Sequence, residues 1–189
     1  MSLLTEDQNL DEIKRDIIHS LSRAGHDHKS AFRFITLCTE GKDAPNARYV
    51  VLREFHSTLP TVFIYTDYRS EKIAEIQQQP RVTILAYDNQ KRAQLKLFGE
   101  ASIHFSDVVA RAHWGKLSGG KEAYQTHLAP GTYVSSVEEA HKMEEQADDK
   151  HFAVIAIKIK ELEVLQLNRT GHIRAVFNLE NSQQSFLVP

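Results

Sequence analysis

Hydrophobic positions along the chain change period several times, and each change marks an element. Leu10, Ile13, Ile17, Ile18 and Leu21 recur at helical spacing, which predicts an amphipathic helix over 5–24. Thr5 with Gln8 forms a candidate capping box for it, and Gly25 is its stop. Alternation then takes over: 31–39 and 47–55 read as strands joined by a turn-like stretch at 40–46, and 61–66 as a third. Ser70 stands as the N-cap of a short helix with Ile73 and Ile76 on its apolar face, ended by Pro80. Strands at 81–87 and 92–105 come next, connected through Asp88-Asn89-Gln90-Lys91.

The middle of the chain is different. Residues 106–117 read as a helix capped by Ser106 and Asp107, and a second helical piece begins after Gly119-Gly120 and ends before Pro130-Gly131. Ser136 and Glu139 make another capping box ahead of a helix through Ala147, so the helical insert covers about 106–147. The β pattern returns at 152–167, 172–178 and 184–188. Short turns between successive strands predict a mainly β fold with α inserts, its largely antiparallel sheet closed as a barrel and its helices packed outside. No repeat, low-complexity tract or linker divides 1–189, so one domain is expected. Adjacent apolar β runs leave a surface for self-association.

Composition narrows the class. Hydrophobic residues make up 41% of the 189 and charged residues 25%, the balance of a soluble globular chain. A net charge of −2 offers no bulk attraction to nucleic acid or anionic lipid. No apolar run approaches the roughly 20 residues that span a bilayer, and the N-terminus lacks the pattern of a signal peptide. The single Cys38 allows no internal disulfide, so a cytoplasmic location is the expectation.

Polar residues at strand ends carry the candidate chemistry. Arg48, Arg53, Thr66, Ser70 and Lys72 gather at strand edges and at one helix start. A phosphate monoester dianion is bound by converging charge-assisted donors, and a helix start adds backbone N–H groups and the positive end of the dipole. Taken singly, each residue reads equally well as a solvated strand charge or an ordinary cap. The set argues further, because a first helical turn favours acids and Lys72 gains nothing there without an anion. On the fifth strand Gln94 and Lys96 share one face, and Leu95 and Leu97 the other. That is either a half-solvated strand with its polar side outward or a glutamine offered to a heterocycle such as the pyrimidine edge of a flavin.

The ordered set is more specific than its parts. Arg48-Tyr49-Val50-Val51-Leu52-Arg53, then Phe63-Ile64-Tyr65-Thr66-Asp67 with Ser70 and Lys72, then Pro80-Arg81-Val82, then Gln94 before Gly99, resembles the pyridoxamine 5′-phosphate oxidase-like, FMN-binding split-barrel superfamily. Trp114-Gly115-Lys116-Leu117-Ser118 followed by Pro130-Gly131 is similar to its oxidase-related branch. The resemblance implies an antiparallel split β-barrel with FMN as cofactor, held between the two protomers of a homodimer. It implies that Arg48, Tyr49, Val50, Val51 and Arg53 line the FMN, that Tyr65 and Thr66 continue the pocket, that Ser70 and Lys72 bind phosphate, and that Gln94 meets the ring. Gln125 and Arg174 become candidate contributions from a second subunit, and His172 with Arg174 candidate substrate contacts.

Departures from the oxidase pattern weaken substrate identity more than cofactor binding. Glu71 replaces a phosphate cation, the C-terminal motif reads His172-Ile173-Arg174-Ala175-Val176-Phe177 with Val176 at the flavin arginine, and no aromatic stands near Leu165-Gln166-Leu167. The resemblance implies an FMN-dependent oxidoreductase acting on a small molecule. The alternative is an FMN-binding stress or sensor protein without turnover. Three other motifs carry less. Residues 115–122 approach a P-loop, but Glu122 replaces the magnesium-binding hydroxyl and no strand precedes it. His26-Asp27-His28 reads as a solvated helix end and no metal is expected, and Asn168-Arg169-Thr170 is a sequon without meaning in the cytoplasm.

Overall fold

The computed structural model describes residues 2–145 and 148–189. Its strands are β1 (Phe34–Glu40), β2 (Pro45–Val51), β3 (Glu54–His56), β4 (Thr61–Asp67), β5 (Arg81–Asp88), β6 (Ala93–Phe105), β7 (Phe152–Gln166), β8 (Ile173–Asn178) and β9 (Gln184–Leu187). They form one antiparallel sheet in the order β2-β1-β5-β6-β7-β4-β3, with β8 pairing the far half of β7 and β9 pairing β8. β2 and β3 lie at opposite ends of that path yet are one run of chain, broken only at Leu52 and Arg53. The Leu52 N–H donates to the Arg33 carbonyl at 2.8 Å and the Arg53 N–H to the Phe63 carbonyl at 2.9 Å, so this dipeptide stitches the two ends together. The sheet is thereby a closed split barrel.

β7 is its spine. One edge pairs with β6 along nearly its whole length, while the other is divided between β4 and β8. A register shift at Phe98/Gly99 bends β6 around the barrel. A Cβ on Gly99 would stand 2.6 Å from the Lys158 carbonyl oxygen, so the bulge requires glycine. Ala153, Ile155, Ile157 and Ile159 face the main core, together with Ile35, Leu37, Ile64, Ile84, Leu95 and Leu97. Phe152, Val154 and Ala156 face the other way and form a second apolar cluster with Phe63 and Tyr124. Two buried faces explain why 152–159 reads as a continuous apolar run.

The helices differ from the expected spans at their ends. α1 (Leu10–Ala24) begins five residues later than the 5–24 expectation, because Asn9 and Glu12 form the reciprocal capping box at 2.9 and 3.0 Å. Gln8 reaches back to the Thr5 N–H in a separate turn, which leaves Thr5 outside the helix. α2 (Glu71–Gln78) has Ser70 at its N-cap position, but the Ser70 hydroxyl makes no capping bond. α3 (Val108–Lys116) is capped by Asp107 alone, since Ser106 takes a left-handed φ of 53° and forms the turn. The piece after Gly119-Gly120 is a 3-10 turn, Lys121–Tyr124, not a longer helix.

α4 (Val137–Ala140) is a single turn. Ser136 caps it, but the Glu139 carboxylate turns to the Ser135 N–H and hydroxyl, and no residue of the turn is buried to extend it. The expected helix through Ala147 therefore stops at Ala140, and Ala147 lies outside the described residues. The strand runs hold with shifts of one to three residues at their ends, except that 47–55 is two strands. Among the described residues no helix is long and apolar enough to cross a membrane.

Candidate functional site

Beyond the Leu52–Arg53 stitch the barrel has a seam. β2 pairs only with β1, and on β4 only Thr61, Val62 and Phe63 pair with β3, so the edges of residues 48–51 and 64–67 have no partner strand among the described residues. Backbone donors and acceptors along both edges are thus free for a ligand.

The turn from β4 into α2 heads that seam. Thr66, Ser70 and Lys72 converge there: the Lys72 Nζ donates to the Thr66 Oγ1 and the Ser70 Oγ at 3.1 Å each, and the two hydroxyls lie 3.2 Å apart. Both hydroxyl residues are buried and Lys72 is half-buried. No carboxylate is in ion-pair contact with Lys72 among the described residues. Burial first, and the nearby Arg48 charge second, push the Lys72 ammonium below its ordinary pKa. Arg48 reaches the same region from β2, donating to the Thr39 hydroxyl and, at 2.8 Å, to Glu75. The Glu71 and Lys72 backbone N–H groups at the start of α2 add donors with no helical acceptor.

The remaining expected residues separate into other environments. Alternation along β4 places Tyr65 on the face opposite Thr66, under the helical insert. The Tyr65 hydroxyl is hydrogen-bonded to the His113 Nδ1 at 2.9 Å, and burial, then the Glu54 charge, push its pKa up to about 12. Arg53 belongs to this side as well. Its guanidinium carbon lies 5.4 Å from the Tyr65 ring centre, and its Nε is buried without a hydrogen-bond partner among the described residues. Burial, and then the Lys116 charge, lower the His113 pKa, which keeps the ring neutral near pH 7. Glu54 bonds His56 at 2.6 Å and Lys116 at 3.0 Å, and these partners hold it ionised against the cost of burial.

Tyr49, Val51, Gln94 and Arg174 share the outer face of the sheet. Register lines Tyr49, Thr36, Leu85, Lys96, Glu163 and Val176 across six strands, with Phe34 and Tyr87 beside them. Phe34, Tyr49, Leu85 and Tyr87 are exposed, Tyr49 to 79%. Val50 alternates inward and packs on the core. Gln94 is half-buried, and its amide makes no hydrogen bond among the described residues. Tyr68 and Ile76, which flank and belong to α2, line a groove with Ala101 and Ile103. Gln94 lies seven residues back from Ala101 on β6, about 23 Å along the strand.

Gln125 is buried, its amide engaged on both sides by the Asp148 backbone, at 2.6 Å to the carbonyl and 3.4 Å from the N–H. Arg174 is paired with Glu163 at 2.9 Å, and His172 is exposed before β8 with its Nδ1 accepting from the Asn168 N–H. Sequence reasoning missed three contributors. Glu75 carries no local sign of its role. His113 gave no sign of which helix face would be buried. Arg69 grips Asp67 through two nitrogens and the Thr126 and His127 carbonyls, tying the insert to the head of the seam. Asp67 and Arg69, two residues apart, were the only available signal. Among the described residues, no three His, Cys, Asp or Glu side chains gather as metal ligands.

A closed antiparallel barrel with one open seam, headed by a lysine and two hydroxyls with no carboxylate in ion-pair contact with the lysine, defines a split barrel. Residues 12–105 match the family described as pyridoxamine 5′-phosphate oxidase, FMN-binding domain, and the chain belongs to this pyridoxamine 5′-phosphate oxidase-like family. No curated protein sequence matches the chain. Among solved structures, a pyridoxamine 5′-phosphate oxidase-related, FMN binding protein from Nostoc punctiforme is similar with a TM-score of 0.77 and 21% identity, covering 96% of this chain and 100% of that one. PhzG from Burkholderia lata, in complex with tetrahydrophenazine-1-carboxylic acid, gives 0.66 and 15%, with coverages of 83% and 82%. A Clostridium acetobutylicum protein related to general stress protein 26 gives 0.54 and 13%, with 80% and 89%. These likenesses establish a shared fold.

The residues present fit the phosphate of FMN. The Lys72 ammonium is half-buried with only hydroxyl partners, a state that an anion completes and water serves poorly.

Proposed function

We propose that this protein is a homodimeric, cytoplasmic FMN-binding oxidoreductase acting on a small molecule, with the whole chain working as one domain. The convergence of Lys72, Thr66 and Ser70 at the head of an open seam carries the reading. Lys72, Ser70, Thr66 and Arg48 would hold the phosphate, and the free backbone edge of residues 48–51 would meet the ring. When bound, FMN supplies two-electron oxidation of the substrate. The chain's own residues bind, orient and exclude water. The insert, anchored by Arg69 and Gln125, covers the face of β4 and β7, while the neutral His113 holds the Tyr65 hydroxyl in place.

Two observations support the dimer. Phe34, Tyr49, Leu85 and Tyr87 form an apolar face on the outer sheet, and Gln94 shares that face with its amide free. Gln94 faces this outer side with Tyr49, whereas Arg48 alternates to the other face of its strand, so we assign Gln94 to a site completed by a second copy. Sedimentation should give twice the chain mass, and Tyr49→Glu should yield monomers that hold FMN poorly.

The test of the cofactor is the spectrum of the purified protein and its titration with FMN. A yellow protein that bleaches near about 450 nm with an amine, alcohol or nicotinamide donor supports the enzyme. A second reading, an FMN binder without turnover, is favoured by the pairing of Arg174 with Glu163, which occupies the cation expected to meet substrate. A yellow protein that no donor bleaches decides for it. A colourless protein that ignores FMN refutes both.

A further inference from the structure

One acid lies inside the cation cluster, where an anion site has least use for it. Glu75 sits on α2 three residues after Lys72 and is buried. Its Oε2 accepts from the Thr39 hydroxyl at 2.6 Å and the Arg48 Nη2 at 2.8 Å, and its Oε1 accepts from the Asn46 Nδ2 at 2.8 Å. Arg48 donates through its other terminal nitrogen to the same Thr39 hydroxyl. One side of the guanidinium is therefore held by groups from β1 and α2 before any ligand arrives.

We infer that Glu75 is a positioning residue for phosphate recognition: it fixes Arg48 so that the donors left free share one anion with Lys72. The inference rests on the FMN reading of this site. An unrestrained arginine loses rotamer freedom when it captures an anion, and a guanidinium pinned by a buried carboxylate has lost that freedom on folding. The counter-effect is electrostatic, since the carboxylate offsets the positive potential that attracts the phosphate. Burial works to raise the Glu75 carboxyl, but the Thr39 and Asn46 hydrogen bonds and the Arg48 charge outweigh it and keep the group ionised. Glutamine at this position separates the two effects, because it keeps an oxygen for Arg48 and Thr39 and removes the charge.

The measurement is the ratio of FMN to riboflavin affinity by flavin fluorescence quenching, because riboflavin lacks only the phosphate. Glu75→Ala should lower that ratio by about tenfold or more with riboflavin affinity unchanged, and Glu75→Gln should restore it to within about threefold of the native protein. Thr39→Val, which removes the second restraint on Arg48, should lower the ratio by a smaller factor and serves as the test if Glu75→Ala does not fold. A ratio unchanged or raised in Glu75→Ala overturns the proposal, as does equal weakening of both flavins. Glu75→Gln no better than Glu75→Ala also counts against it. A native protein with no preference for FMN over riboflavin removes the FMN reading, and the role of Glu75 with it.

Discussion

Two groups of cations on this barrel are built in opposite ways. At the head of the seam, Lys72 has two hydroxyl partners and no acid in contact. On the outer face, Lys96 and Arg174 both reach Glu163, at 3.6 and 2.9 Å, and the group closes on itself. The first arrangement disfavours the charge it holds, as the lowered Lys72 pKa records, and the second resolves its charges internally. A half-buried ammonium with no carboxylate in contact leaves room for an anionic ligand, whereas a paired ladder is explained by the sheet it braces. Arg48 stands between the two: it is paired with Glu75, and its charge acts on Lys72.

The largest expected effect breaks the first arrangement. Lys72→Ala should cost about 1.5–3 kcal/mol of FMN binding, roughly ten- to a hundredfold in affinity, without lowering thermal stability, because the lost charge was never paired. Fluorescence titration and a melting curve check both halves, and a destabilised variant that still binds FMN would remove the contrast.

Next is the ladder. Glu163→Gln should cost about 1 kcal/mol of stability by leaving two neighbouring cations unpaired, with the FMN-to-riboflavin ratio unchanged. Chemical denaturation measures it.

The pH dependence sharpens the same contrast. Phosphate binding requires Lys72 protonated, and its pKa is depressed, so FMN affinity should fall as pH rises through that lowered value. On the acid side affinity should fall as the phosphate itself protonates, near about pH 6. Lys72→Arg, charged throughout this range, should abolish the alkaline fall and leave the acid one. Affinity profiles that superimpose would place the phosphate elsewhere. The smallest effect is the coupling of Glu163 with Arg174, about 0.5–1 kcal/mol in a double-mutant cycle and reduced by salt, since Arg174 is one-third exposed.

Much of this was legible along the chain. Alternation located nearly every strand, because one-sided burial writes period two into the residues of a sheet, as Phe34 to Glu40 shows. Helix ends were less legible. Thr5 with Gln8 and Asn9 with Glu12 offer the same capping pattern four residues apart, and a long-range contact decides between them. Leu3 and Leu4 donate their N–H groups to Gln166, which anchors the bent and turned segment ahead of Asn9. The long helix expected through Ala147 failed because a capping signal forms a helix only where a face is packed, and Val137 to Ala140 pack none.

The candidate site divides along the same line. Ser70 and Lys72 were singled out by local rules, since the first turn of a helix offers free N–H groups. Tyr65 and Thr66 were read as one pocket, though a two-residue period had already placed them on opposite faces. Local periodicity and turn chemistry thus carry the strands, the antiparallel order and the identity of the cations, because those depend on neighbours in sequence. Which cations remain available depends on neighbours in space. Glu75 comes 27 residues after Arg48, and Glu163 comes 11 before Arg174 across a hairpin, so pairing appears only once the chain has closed. Coulomb energy falls with distance through space and takes no account of distance along the chain.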